Sequence, residues 1–265
     1  MKLVDLSVPI ANGLHCDPPL TAPHVIYQDH QKGAEEMQIA FEGLKPEHLP
    51  DGIGWATEKI TLNTHSGTHM DAPWHYGPIM NRETEEKRAL TIDEIPLDWC
   101  IGSLIVLDCT DLAEGYVLEP SDIDVKLNAM GHSLNYRDIV CVHTTAPKYF
   151  GTVEYRDHGV GVGKAGTLHL LRQGVRVVGT DAWSWDAPFS ITGEKWKQSL
   201  RDKKPNTSII WEGHFAGIER GYCQLEKLVN LDKVPRIGAT IYCFPIKIAG
   251  ASAGWVRAVA SVPDT

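Results

Sequence analysis

The stretch HSGTHMDAPWH, positions 65–75, carries three histidines and an aspartate, and it constrains the fold of the chain more than any other segment. Imidazole and carboxylate groups gathered this closely need a scaffold that holds them still, so the segment has to be delivered from a rigid element into a shielded place. The residues just before it offer one. ATEKITLNT, residues 56–64, alternates Glu58, Lys59, Thr61 and Asn63 with Ile60 and Leu62, the pattern of a half-buried strand ending at the cluster. H-x-x-x-H can share one helix face, but Ser-Gly-Thr between the histidines is a poor helix interior, glycine being about 1 kcal/mol worse than alanine. A tight loop at a strand end is therefore the expected carrier, with Ser66 and Gly67 allowing the turn and Pro73 stiffening the exit.

Further apolar, β-branched stretches read as strands: KLVDLSVPI at the start, then residues 103–109, 138–144, 174–181, 239–248 and 255–261. Helical signals are fewer. TIDE at 91–94 has the form of a capping box, KAGTLHLLRQG at 164–174 places Leu168, Leu170 and Leu171 on a short helix ended by Gly174, and QLEKLVNL at 224–231 fits one or two turns. Strands outnumber long helices without regular alternation, so the expectation is a mixed central sheet in one α/β domain spanning residues 1–265. Residues 11–55, rich in Pro, Gly and His with no clean period, read as an irregular arm or lid.

A formal net charge of −9 argues against a nucleic acid or an anionic membrane as partner and favours a small neutral or organic substrate. No apolar run approaches the ~18–20 residues of a membrane span, and the start lacks the build of a secretory signal, so the cytoplasm is the default expectation. The six cysteines are scattered, with no C-x-x-C pair, and read as reduced core residues. There is no G-x-S-x-G elbow and no Walker-type loop; GVGVG at 159–163 lacks the strand and helix context of a nucleotide fingerprint.

His65, His69 and Asp71 form a set suited to Zn²⁺, Mn²⁺ or Fe²⁺ that leaves coordination positions open. One H-x-x-x-H arises by chance in many chains; the added Asp71 and His75 make chance a poor account here. A hydrolase that generates its nucleophile from water at a divalent ion follows, with His75 moving the proton to the leaving group. A different class is a module in which ions only staple the fold, but structural zinc favours four closed ligands, often cysteines. Trp74, Trp183 and Trp185 are candidates for walling a pocket and stacking on a planar ring, or for packing the core; Asp181 and Asp186 are candidates for orienting ligands or capping turns.

The pattern H-x-G-T-H-x-D-x-P-x-H resembles the signature of the cyclase family of metal-dependent hydrolases, which includes bacterial kynurenine formamidases and isatin hydrolases. DLSVPI, GTDAWSWD at 179–186, His214 with Glu226 twelve positions later, and FPIKIAGASAGWVRAVA are similar to family segments in family order. The resemblance implies an α/β fold of the swivelling β/β/α type, assembled as a homodimer or homotetramer. It implies that His65, His69 and Asp71 hold a first ion, that His214 and Glu226 hold a second with Asp71 as bridge, and that His75 is the general acid/base. It also implies Mn²⁺ or Zn²⁺, one or two ions per subunit, since isatin hydrolases carry a single Mn²⁺. WSWDAPF and DAPWHY look closer to the isatin hydrolase branch, which opens a cyclic amide. Formamide cleavage of N-formylkynurenine and lactone opening are the alternatives.

Overall fold

The computed structural model describes residues 1–264. Its strands are β1 (Lys2–Asp5), β2 (His24–Gln28), β3 (Thr57–Thr61), β4 (His69–Asp71), β5 (Ile79–Met80), β6 (Lys87–Arg88), β7 (Ile101–Asp108), β8 (Val117–Leu118), β9 (Ile139–His143), β10 (Gly161–Val162), β11 (Val177–Thr180), β12 (Cys223–Glu226), β13 (Ala239–Tyr242), β14 (Ala253–Trp255) and β15 (Val259–Val262). The α-helices are α1 (His30–Ala40), α2 (Pro73–Tyr76), α3 (Pro120–Ala129), α4 (Lys164–Arg172), α5 (Phe189–Arg201) and α6 (Glu212–Glu219).

Nine strands form one sheet in the order β1-β15-β13-β7-β9-β11-β12-β4-β14. The central four, β7, β9, β11 and β12, run parallel, and antiparallel strands flank them on both sides. The mixed α/β architecture agrees with the sequence expectation. The apolar runs at β7 and β9 are continuous because both faces of these strands are covered. Leu104, Val106, Ile139, Cys141 and Val177 enter one core cluster. Their alternating neighbours Ile105, Leu107, Val140, Val142 and Val178 enter the other, under Ile123 and Leu127 of α3 and Leu168, Leu170 and Leu171 of α4. All six cysteines are free and buried.

Several local expectations need correction. QLEK is not helical: β12 lies between β11 and β4, and all four of its residues are buried, so pairing on both edges overrides any local helical preference. The 11–55 arm contains a strand and a helix, β2 and α1. β2 pairs with β3 in a separate ribbon, and every residue of β3 is exposed rather than half-buried. The closing apolar stretch splits into β14 and β15, and of the stretch 239–248 only Ala239–Tyr242 is strand. The GVGVG glycines serve packing: Val162 N–H donates to Trp185 O at 2.9 Å, and a Cβ on Gly161 would collide with the Ala187 backbone.

Candidate metal centre and cavity

Sheet register builds the centre of the site. His69 of β4 pairs with Glu226 of β12, and Asp71 pairs with Gln224. Side chains alternate along a strand, so these four share one face while Met70, Cys223 and Leu225 point into the opposite core cluster. His69, Asp71, Gln224 and Glu226 are all buried. His65 arrives from the turn before β4, where Gly67 takes a left-handed φ of 64° and Thr68 Oγ1 donates to Lys227 O at 2.6 Å. Strand and loop thus share the carriage of the motif, because β4 begins only at His69. α2 then lifts His75 over the strands, and its ring lies 4.1 Å from that of His65.

α6 supplies His214. Its first turn is held by Asp186, whose carboxylate accepts from Gly213 N at 2.8 Å and His214 N at 3.2 Å and also contacts His214 Nδ1. A Cβ on Gly217 would overlap the Tyr76 ring, so this glycine lets α6 lie against α2.

Every ligand-type atom converges on Asp71. His65 Nδ1 is 2.8 Å and His69 Nε2 3.2 Å from Asp71 Oδ1, and His69 Nε2 is 3.5 Å from Glu226 Oε2. His214 Nε2 lies 3.8 Å from Asp71 Oδ2 and 3.7 Å from Glu226 Oε1. Despite these separations, His69 Nε2 and Asp71 Oδ1 are buried without a hydrogen-bond partner among the described residues. His69 Nδ1 is 2.9 Å from the Gly67 carbonyl, a contact that places its proton there and leaves Nε2 a bare lone pair. Two orphaned acceptors facing each other repel unless a cation joins them. The donor set therefore fits a divalent ion, with His65, His69, Asp71 and Glu226 placed to hold it.

The titratable groups are perturbed accordingly. Burial favours the neutral form of Asp71, but the surrounding histidines outweigh it and hold the carboxyl well below its usual range. Burial pulls His65 and His214 down, and the carboxylates of Asp71 and Asp186 respectively more than restore them. Glu226 is pushed up by burial and by Asp71. His75 falls to about 4, chiefly because burial penalises its charged form, an effect that the Asp71 carboxylate opposes and the neighbouring histidines reinforce.

A cavity of about 670 Å³ opens beside the centre, with His65, His75, His214 and Glu226 on its floor. Trp183, Phe189, Trp196, Trp211 and Phe215 supply aromatic wall. Among the tryptophans proposed from sequence, only Trp183 lines it. Trp185 is fully buried, donates from Nε1 to Thr167 Oγ1 at 2.9 Å, and uses its backbone N–H to hold Glu226 Oε1 at 2.9 Å. Trp74 lies outside the lining, with its backbone N–H on Leu90 O. Asp186 orients His214, whereas Asp181 binds His143 and Thr144 away from the centre.

Sequence reasoning missed Gln224. Its Nε2 lies 3.0 Å from Asp71 Oδ2, 2.6 Å from His214 Nε2 and 3.0 Å from Glu226 Oε1. It also missed Trp211, whose left-handed φ of 54° at the start of α6 turns its ring onto His214 at 4.3 Å. Neither carries a local signal, since the first needs the β4–β12 register and the second a backbone conformation rare outside glycine.

The Cyclase family model matches residues 4–187. The chain belongs to the cyclase family. Among curated relatives of this cyclase-family chain, kynurenine formamidase of Salinibacter ruber is 29% identical over 228 residues, covering 86% of this chain and 88% of that protein. Kynurenine formamidase of Erythrobacter litoralis is 28% identical over 86% of this chain and 87% of its own length. Among solved structures, isatin hydrolase A of Labrenzia aggregata bound to benzyl benzoate shares the fold, with a TM-score of 0.69 at 21% identity over 99% of this chain and 94% of that one.

Proposed function

We propose that the protein is a metal-dependent hydrolase that opens a cyclic amide of a small aromatic substrate. The observation that carries this reading is the pair of orphaned buried atoms, His69 Nε2 and Asp71 Oδ1, beside an aromatic cavity. Mn²⁺ or Zn²⁺ suits the mixed imidazole and carboxylate donors, and when bound it supplies a Lewis acid that polarises a carbonyl and makes water acidic near neutral pH. A single ion is the stoichiometry proposed, because the Gln224 carboxamide fills the space between His214, Asp71 and Glu226 where a second would sit.

His75 is neutral at pH 7 with its pKa near 4, and its Nε2 stands 3.9 Å from Asp71 Oδ2 at the cavity floor. There it takes the proton of the attacking water and returns it to the leaving nitrogen, for which its conjugate acid is a strong donor. Asp186 fixes the ring of His214, and the backbone N–H of Trp185 fixes Glu226, so both keep their orientation while a proton moves at His75. Trp183 and Trp211 wall the space in which a planar ring stacks and water is displaced.

Formamide cleavage of an aryl substrate such as N-formylkynurenine is the second reading, favoured by the identity to two kynurenine formamidases. The test strips metal from the protein, restores Mn²⁺ or Zn²⁺, and follows isatin, N-formylkynurenine and an aryl lactone in parallel. Ion-dependent loss of isatin without formate supports ring opening. Formate release from N-formylkynurenine alone supports the second reading, and no ion-dependent turnover of any acyl substrate contradicts both.

A further inference from the structure

The cavity is chemically two-sided. Its ionisable lining, Asp17, His65, His75, His214, Glu226 and Lys227, gathers in or beside the ion centre, where Lys227 Nζ donates to both Asp17 and the His65 carbonyl. From there the aromatic wall runs outward. The Trp211 ring lies 5.0 Å from that of His75 and 4.3 Å from that of His214, and then meets Phe215 at 5.2 Å. Trp183 lies against the Lys227 ammonium and meets Phe189 edge-on at 5.4 Å. At the outer end Phe189, Ile210 and Phe215 remain exposed.

α5 borders this outer end. Phe189, Thr192, Gly193 and Trp196 line the cavity at the i, i+3, i+4, i+7 spacing of one helix face, while Glu194, Gln198 and Arg201 on the other side are exposed. Gly193 leaves a notch in that face. Glycine is the poorest helix-interior residue after proline, and here neither a positive φ nor a close neighbour demands it: no atom stands within 4 Å of the place its Cβ would take. The space beside it is therefore open cavity. A fused two-ring amide of roughly ten heavy atoms, at about 30 Å³ each, fills no more than half of the 670 Å³ available.

We propose that Gly193 opens a subsite for an uncharged apolar group, an alkyl chain or a second ring, carried by the aromatic substrate on the side remote from the reacting carbonyl. This rests on the hydrolase reading above and adds to it the part of the substrate that does not react. Burial of such a group against α5 strengthens binding by roughly fourfold per methylene, whereas a charged group there would shed its water without finding a partner.

The test compares isatin with 5-butylisatin, and formanilide with 4-butylformanilide, so that it holds for ring opening and formamide cleavage alike. In the metal-loaded native protein the butyl group should lower KM by about tenfold or more with kcat little changed. Gly193→Leu should collapse that KM ratio to below about threefold, and Gly193→Ala should lie between. Both substitutions improve helix propensity, so each should hold or raise Tm. A butyl group that fails to lower KM in the native protein, a ratio unchanged in Gly193→Leu, or a lower Tm in Gly193→Ala overturns the subsite while the hydrolase stands. Ion-dependent hydrolysis of neither unsubstituted compound overturns the hydrolase reading and the subsite with it.

Discussion

His69, Asp71, Gln224 and Glu226 sit on neighbouring strands deep in a nine-stranded sheet, whereas Phe189 and Trp196 on the facing side of the cavity belong to α5, a helix with no buried residue. The strands are locked by ladders on both edges and by Met70, Cys223 and Leu225 in the core behind them. The wall rests on fewer packed neighbours, and Phe189 is 51% exposed. This division separates the chemistry, which needs fixed distances, from substrate fit, which tolerates a wall able to adjust. Amides of β4 and β12 should therefore exchange with deuterated solvent far more slowly than those of α5; similar rates would erase the distinction.

The largest effect is expected on the sheet side. Asp71→Asn removes the carboxylate on which the histidines converge, and should abolish ion binding as measured by metal analysis, reducing turnover to background. His75→Ala should keep the ion but lower kcat by ~10²–10⁴-fold, the span typical of a lost acid/base group. Metal loss in this variant would recast His75 as a ligand. Gln224→Ala should raise the content from one ion per chain to two, read by elemental analysis; one ion in the variant, or two in the native protein, would contradict the space-filling role of the carboxamide.

On the wall side, Trp183→Ala should raise KM for an aromatic substrate by up to about tenfold with kcat little changed, consistent with ~0.5–1.5 kcal/mol for an aromatic pair. The smallest effect belongs to the periphery, where Arg172 and Arg220 bind Glu83 and hold its carboxyl near pH 2. A carboxyl depressed on folding stabilises above its unfolded pKa, near 4.3, and loses that contribution as pH falls toward 2. Glu83→Gln should thus lower stability by less than about 1 kcal/mol at pH 7, with the difference shrinking below pH 4 and disappearing as pH falls through about 2 in thermal melts.

The same division explains what was legible in the sequence. His65, His69, Asp71 and His75 are close neighbours along the chain, and a dense motif announces itself. His214 and Glu226 were recoverable only through family resemblance, because α6 and β12 meet β4 by long-range packing. Gln224 was hidden since β12 looked helical, and only its pairing with β4 reveals which of its residues face the centre. Trp183 and Trp185 are indistinguishable by spacing; in the fold one lines the cavity and the other fills the core beneath it. The mixed sheet was legible because β7 and β9 contain unbroken buried apolar runs, residues 104–107 and 139–142, and β11 opens on Val177 and Val178. Of the β2–β3 ribbon only β3 was legible as a strand, from an alternation whose apolar residue within it, Ile60, proves exposed, while β2 lies in an arm that showed no period.

The central claim is that the register of β4 and β12 holds an ion that keeps an exchangeable position toward the aromatic cavity. Water-proton relaxation during titration of the metal-free protein with Mn²⁺ tests it most directly. The account predicts a marked enhancement that saturates at one Mn²⁺ per chain, falls when an aromatic carboxylate fills the cavity, and is absent in Asp71→Asn. Binding without enhancement, or enhancement that survives Asp71→Asn, would contradict it.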